Sequence, residues 1–217
     1  MKFMSLGRAA SRHAARWSSR RTSHRTSLCA LVALSFAALL PGIASAQDSA
    51  WPNKLLSYIV PFTAGGSTDV IGRTVAQKLA EVLKQPVVVD NKPGAAGAVG
   101  AAYVAKAKPD GYTLFGGTIS THAINAGLYK NLPYDPVRDF EMASGQAIYA
   151  PKGTPVPIVA RLHAEIVKIL KGAEGGKLAR QFGMEIVAGT PAQLAAHMAK
   201  EIPRWAALVK KSGATAD

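Results

Sequence analysis

The chain has 217 residues, of which 48% are hydrophobic, and it carries 26 Lys and Arg against 13 Asp and Glu. This is an ordinary globular composition, which excludes disordered and collagen-like proteins, and the length allows one or two domains. Seven basic residues and no acidic residue fall within residues 1–46. Most of the excess positive charge therefore belongs to the N-terminal segment, and we predict no nucleic-acid partner.

Residues 1–46 have the layout of a signal peptide. An Arg-rich stretch reaches Arg25, an apolar run extends from Leu28 to Leu40, and Ala44-Ser45-Ala46 is a small-x-small cleavage pattern. The alternative is an uncleaved anchoring helix, and Arg20-Arg21 leaves both Sec and twin-arginine export open. The single cysteine, Cys29, lies inside this segment, so the mature chain has neither a disulfide nor a thiol nucleophile.

The first half of the mature chain alternates between apolar strands, Gly-rich loops and helices. In chain order we predict a strand at 55–61, a loop at 62–69, a helix at 70–84 capped by Thr68 or Asp69, a buried strand at 87–89, a turn at 91–97, a helix at 98–108, a strand at 112–115 and a loop at 116–122. This order predicts an α/β fold with a doubly wound, largely parallel sheet. All three Gly-rich loops then lie at the carboxyl edge of the sheet, where such folds bind ligands.

The second half is less regular. We predict a loop at 128–140, a short strand at 147–150, helices at 157–170 and 177–182 and a last strand at 184–187. A long helix follows, opened by Thr190-Pro191, kinked at Pro203 and extending to about Lys211.

The strongest candidate site is FTAGGSTD, residues 62–69. Glycines allow a close backbone approach, and the free N–H groups at the start of the following helix favour a carboxylate or a phosphate. Ser67 and Thr68 add hydroxyl groups, and Asp69 can cap the helix or receive an ammonium group. The alternative is a plain strand-to-helix turn. The loop is not a P-loop, because no Gly-Lys-Ser/Thr follows it.

The remaining motifs are weaker. Gly94, Gly97 and Gly100 fit tight packing better than dinucleotide binding. Thr118, Ser120 and Thr121 could line the same crevice or cap the next short helix. His122, His163 and His197 form no metal-like cluster in the sequence, and we expect them to pack or to lie at the surface. No catalytic residue, metal site or cofactor is predicted.

Several motifs together resemble one family. PFxAGGxTD, VVVDNKPGAAG, AKPDGYTL, GTxxTHAIN and LYKNLPYDPVRDF are similar to the N-terminal part of the Bug-type periplasmic substrate-binding proteins of tripartite tricarboxylate transporters. The stretches IYAPKGTPVPIVARLHAEIVKIL and GTPAQLAAHMAKEIPRWAALVKKSGA resemble the family's C-terminal part. The resemblance covers nearly all of residues 51–217.

The departure from the family pattern is one block of missing sequence. The family has two α/β lobes, and its second lobe is inserted in the middle of the chain. Here YDPVRD runs straight into FEMASGQAIYAPKGTP, so the second lobe is expected to be absent, with the junction near Asp139–Phe140. Gly145 stands where the family has Trp, and Ala147 stands where it has Gly. We therefore predict a signal peptide at 1–46 and, at 47–217, a single lobe formed by 51–139 plus 140–217.

The resemblance implies a non-enzymatic, periplasmic protein that captures a small organic carboxylate for the membrane permease subunits of such a transporter. It implies carboxylate donors at the amides of Gly65, Gly66 and Ser67, with Phe62 packed on the carbon skeleton. Thr68, Asp69, Thr118 and Ser120 complete the expected site. The alternatives are a binding-incompetent remnant, a module that only contacts a partner, and, least favoured, an enzyme on the same loops.

We expect cleavage after Ala46, because the basic, apolar and small-residue segments follow one another in signal-peptide order. Mass spectrometry of the exported protein would show a mature chain that begins at Gln47. A mature N-terminus upstream of Leu28 would contradict the prediction.

Overall fold

A computed structural model describes residues 51–144 and 147–216. The signal segment and its cleavage site lie outside the described residues. The described chain contains strands β1 (Leu56–Val60), β2 (Val87–Asn91), β3 (Thr113–Gly116), β4 (Phe140–Ser144) and β5 (Ile148–Pro151). Its helices are α1 (Ser67–Leu83), α2 (Ala98–Ala105), α3 (Asn125–Leu128), α4 (Val156–Lys171), α5 (Ala173–Phe182) and α6 (Pro191–Ser212), with a 3₁₀ turn at Ala95–Gly97 and a π turn at Ser120–Ile124.

The five strands form one sheet in the order β2-β1-β3-β5-β4. Strand β1 pairs in parallel with β2 and β3, whereas β5 runs antiparallel to both β3 and β4. The doubly wound, largely parallel α/β fold predicted from the sequence is confirmed. Strands that precede and follow residues 139–140 belong to this one sheet.

Helices cover the two faces of the sheet. On one face Leu56, Tyr58 and Val60 of β1 pack in a cluster with α1 and α4. On the other face Ile59 packs in a cluster with Phe115 and residues of α2 and α6. The two clusters follow from the period of two along β1, which sends alternate side chains to opposite faces.

Local signals placed most helices correctly. Val75, Leu79 and Leu83 recur every four residues and form the buried stripe of α1. At α6 the Thr190 hydroxyl accepts from the Gln193 amide, and the Gln193 side chain accepts from the Thr190 amide, so the predicted cap is present. The helix continues through Pro203.

Three local predictions are wrong. The cap of α1 is Gly66, not Thr68 or Asp69, and no side chain bonds there. Strand β2 is not buried, because it lies at the edge of the sheet and Val88 is 48% exposed. Residues 184–187 form no strand, although Ile186 packs against the first cluster. The alternation of apolar and polar residues at 184–187 reflects the burial of one side of this segment, not pairing with another strand.

Ala147 has φ of +57°, in the left-handed region that favours glycine. Its carbonyl accepts a hydrogen bond of 2.8 Å from the Gly117 amide, so the β3 and β5 ends of the sheet depend on this backbone conformation. Glycine, which the sequence resemblance leads us to expect at this position, adopts such a φ without strain.

We expect Ala147→Gly to raise the free energy of unfolding by about 0.5–1 kcal/mol, because it removes the Cβ conflict. The control is Ala150→Gly in β5, which is fully buried and should destabilise by a similar amount. Urea unfolding of both variants measures the difference. A loss of stability in Ala147→Gly would contradict the strained conformation.

Candidate functional site

Three loops meet at the carboxyl edge of the parallel strands. They are residues 61–66 after β1, 92–97 after β2 and 117–120 after β3. A Cβ added at Gly97 would lie 2.7 Å from the Thr121 methyl group and 3.4 Å from the Phe62 ring, so the loops touch one another there. The Asn125 side chain also donates to the Ala96 carbonyl at 3.1 Å. The three loops therefore converge, as the alternation of strands and Gly-rich loops along the chain predicted.

The loop after β1 is exposed at its tip and leads directly into α1. Gly65 has φ of +91°, which a glycine adopts without strain. Gly66 caps the 17-residue helix without a side-chain bond, and the first hydrogen bond of the turn joins the Val70 amide to the Gly66 carbonyl. Within the described residues, the Ser67 and Thr68 amides have no acceptor. Two N–H donors therefore face the loop at the positive end of a helix.

The Gly65 amide already has an acceptor within the protein, and its expected role as a carboxylate donor stays a prediction. That amide donates to the Asp69 carboxylate at 2.9 Å. The bond fixes the bend of the loop and occupies the Gly65 N–H in this structure.

Asp69 lies at the centre of a network that holds this loop. It is 2% exposed, and it accepts from Arg73 Nε and from Asn91 Nδ2, each at 2.9 Å. Asn91 Nδ2 also donates to the Phe62 carbonyl at 3.0 Å, and Arg73 Nη2 donates to Asn91 Oδ1 at 2.9 Å. The loop, α1 and the end of β2 are thereby joined through one carboxylate.

The network also explains the charge state of Asp69. The hydrogen bond from Arg73, with those from Gly65 and Asn91, lowers the pKa of Asp69 to about 2 against the opposing effect of burial. Both oxygens already accept bonds from the protein. Direct contact between Asp69 and a ligand stays a prediction, while the geometry shown gives this residue a positioning role.

The sequence motifs do not identify Arg73 and Asn91 as residues of the site. Arg73 follows Asp69 by four residues, the spacing of an ion pair on one helix face. Asn91 ends β2 at the same edge of the sheet as the loop. The four-residue spacing could have indicated Arg73. Asn91 could be recognised only once the position of β2 beside β1 was known.

The hydroxyl groups after β3 differ in their availability. The Thr118 amide donates to Thr121 Oγ1 at 2.9 Å, and the Thr121 hydroxyl donates to the Thr118 carbonyl at 3.0 Å. Thr118 Oγ1 accepts weakly from the Thr121 amide at 3.4 Å. The Ser120 hydroxyl is half-buried and has no partner among the described residues. Thr118 thus belongs to a local turn, and Ser120 keeps a free hydroxyl.

His122 is a packing residue, as predicted. It is fully buried, and its ring stacks on that of Tyr149 at 3.8 Å between centroids and 7° between planes. Its Nδ1 lies 2.9 Å from the Thr121 hydroxyl. Burial lowers the pKa of His122 to about 3, so the ring is neutral at physiological pH. Gly117 lies against both rings, where a Cβ would come within 2.8 Å of each.

The glycines of the second loop also pack, as expected. A Cβ at Gly100 would lie 3.0 Å from both the Lys92 carbonyl oxygen and Pro61 Cα. Among the described residues, no group of three or more His, Cys, Asp or Glu could hold a metal ion. In the same part of the chain, no helix has the length and apolarity needed to cross a membrane.

Comparison with known proteins supports one family. Residues 71–145 match the Tripartite tricarboxylate transporter family receptor, TctC. A UPF0065 protein of Agrobacterium vitis is 48% identical over 104 residues, which is 48% of this chain and 30% of that protein. Protein BugT of Bordetella pertussis is 42% identical over 90 residues, which is 41% of this chain and 28% of BugT. The matched part is about a third of the length of such relatives.

Solved structures show the same fold. A Rhodopseudomonas palustris protein with adipate has a TM-score of 0.70 at 22% identity, over 75% of this chain and 98% of that chain. MatC from the same organism, with bound malate, has a TM-score of 0.68 at 19% identity, over 73% of this chain and 100% of that chain. The resemblance to Bug-type periplasmic binding proteins is confirmed. A third matched structure is the periplasmic binding protein BugD, with a TM-score of 0.68 at 20% identity.

We expect Asp69→Asn to lower the free energy of unfolding by about 1–3 kcal/mol, because hydrogen bonds to a buried charge are lost. The folded-state pKa of Asp69, about 2, lies below its ordinary value of 3.8. The stabilisation is therefore complete above about pH 4 and disappears as the pH falls through about 2.

Urea unfolding at pH 7 and pH 3 would measure both effects. The matched control is Glu81→Gln, since Glu81 pairs with Lys78 on the exposed surface of the same helix and should change stability by less than about 0.5 kcal/mol. Equal losses in the two variants, or a loss from Asp69→Asn that does not shrink in acid, would contradict the role of Asp69.

Proposed function

We propose that this chain, which carries a TctC receptor segment within one lobe of a periplasmic-binding-protein fold, captures a small organic carboxylate outside the cytoplasm for a tripartite tricarboxylate transporter. The observation that carries the proposal is the pair of amides at Ser67 and Thr68, which have no acceptor in the described structure. They lie at the start of α1 on a loop already fixed by Asp69. A carboxylate supplies the missing acceptors and the negative charge that a helix start favours.

The proposed ligand lies across the loops after β1 and β3. Gly66 allows close approach because an added Cβ there would meet nothing nearer than the Thr63 carbonyl at 4.0 Å. The half-buried Phe62 ring offers an apolar surface for the carbon skeleton, and Ser120 offers a free hydroxyl. The relatives solved with adipate and malate hold dicarboxylates, which supports a carboxylate of this size class.

The proposed lobe joins residues 51–139 to 140–217, and the second lobe of the family is absent between them. In support, Phe140 begins β4, which pairs with β5 in the same sheet as β1 to β3. An open loop leaves one side of the ligand in water, where charge-assisted bonds are weakened. We therefore propose binding that is impaired relative to a two-lobed receptor, with a dissociation constant of about 0.1–1 mM.

The proposed location is the periplasm, reached through the predicted signal peptide. The proposed protein partners are the membrane permease subunits of the transporter. The competing function, contact with a partner without ligand capture, predicts the same location but no response to carboxylates.

Titration with malate, adipate and citrate, followed by NMR shifts of backbone amides, tests the proposal. We expect shifts at 65–69 and 118–120 for at least one of the three acids. Gly66→Val should weaken that binding at least tenfold, because the valine side chain covers the exposed amides. The φ of −77° at position 66 suits any residue, so the substitution should not strain the backbone.

The control is Gly176→Val in α5, where an added Cβ would meet only Arg180 Nη1, at 3.6 Å. It should leave the affinity within twofold. Absence of shifts with all three acids would favour the partner-contacting function. Nanomolar affinity would contradict the one-lobed site, and shifts confined to Gly94–Gly100 would place binding on another loop.

A further inference from the structure

A cavity lies at the amino edge of the sheet, opposite the three loops. It has a volume of about 560 Å³ and is lined by the starts of β1 and β3 and by the end of α2 with the turn that follows it. None of its lining residues belongs to the three carboxyl-edge loops. A volume of this size is typical of small-molecule sites.

The cavity exists because α2 is too short to cover its face of the sheet. Its eight residues span about 12 Å. Ala101 and Val104 share a cluster with Ile59 and Phe115. Two residues before Ile59 in β1 is Ser57, which pairs with Thr113 of β3 and points to the same face. That part of the face is left open as the floor of the cavity.

The floor is polar. Ser57 and Thr113 are half-buried, and within the described residues neither hydroxyl has a hydrogen-bond partner. A buried sheet position would ordinarily carry an apolar side chain, as Ile59 and Phe115 do two residues further on. Two neighbouring free hydroxyls on adjacent strands are a ready pair of donors for the oxygens of one ligand group.

The rim is positively charged. Lys54, Lys106 and Lys108 line the cavity, and the only carboxylate in its lining is Asp110. Lys54 pairs with Asp110 at 3.3 Å, whereas Lys106 and Lys108 have no acidic partner in the described structure. The net charge of the rim therefore attracts an anion.

One wall is aromatic. Tyr103 of α2 is 49% exposed, and it lines the cavity one helical turn from Lys106 and Ala107. Lys92 Nζ lies 4.3 Å from the centroid of this ring and covers part of one face. The part of the ring that stays exposed offers an apolar surface beside the charged rim.

We infer that this cavity is a second ligand site, for a small phosphorylated molecule with a ring or other apolar body. The phosphate group lies between the free ammonium groups of Lys106 and Lys108 and the hydroxyls of Ser57 and Thr113, and the body of the ligand packs on Tyr103. A phosphate has three terminal oxygens as acceptors where a carboxylate has two, which suits the larger number of donors. The site is distinct from the proposed carboxylate loop and does not depend on it.

The test uses three probes on the purified protein at constant ionic strength: phenyl phosphate, inorganic phosphate and benzoate. We expect amide shifts at Ser57, Thr113 and 103–108, with phenyl phosphate bound at least fivefold more tightly than either of the other two. The comparison with inorganic phosphate measures the contribution of the apolar body, and the comparison with benzoate measures the contribution of the phosphate group.

Lys106→Gln combined with Lys108→Gln should weaken phenyl phosphate binding by about five- to tenfold. Lys210→Gln combined with Lys211→Gln removes the same charge from the exposed end of α6 and should leave the affinity within twofold. Ser57→Ala combined with Thr113→Val should reduce the preference for phosphate over benzoate.

Each opposite outcome overturns the inference. Equal losses in the two double-lysine variants would show general charge attraction rather than a site. Shifts confined to 62–69 would show that the probes bind at the carboxylate loop. Equal affinity for phenyl phosphate and benzoate would remove the phosphate assignment.

Discussion

The buried carboxylate of Asp69 is the interaction on which the carboxyl-edge loop depends. It receives a backbone amide from the loop, a guanidinium from its own helix and an amide from the end of the neighbouring strand. A buried charge is costly unless it is fully hydrogen-bonded, so the three partners and the carboxylate require one another. The result is a loop whose bend is fixed before any ligand arrives, which reduces the ordering cost of binding.

The Asp69 carboxylate accepts from the Gly65 amide, and no side chain caps the start of α1. The Ser67 and Thr68 amides are therefore left without a side-chain acceptor. Glycine at position 66 adds no side chain that could cover them. The Asp69–Gly65 hydrogen bond and the glycine at position 66 therefore leave the outer surface of the loop open to an anion.

The sheet also explains why the molecule has two candidate sites of different character. At the carboxyl edge, three loops converge and backbone donors predominate. At the amino edge, the shortness of α2 leaves side chains of β1 and β3 uncovered, and lysines surround the opening. Strand β5 enters between β3 and β4 against the parallel direction. Its start at Ala147 is held by a left-handed backbone conformation and the bond to Gly117.

The sequence by itself determined the α/β class, the alternation of strands and helices along the first half of the chain and the approximate positions of most helices, because these depend on periods of two and 3.6 and on the turn residues between them. It also located the Gly-rich loop, since a strand, glycines and a helix follow one another directly. Only the tertiary structure decided that β2 is an edge strand, that residues 184–187 stay outside the sheet, and that Gly65 donates to Asp69. It alone joined Asn91 to Phe62 and brought Lys106 and Ser57 to the lining of one cavity. These contacts link residues that lie far apart in the chain, and local periodicity carries no information about which distant segments meet.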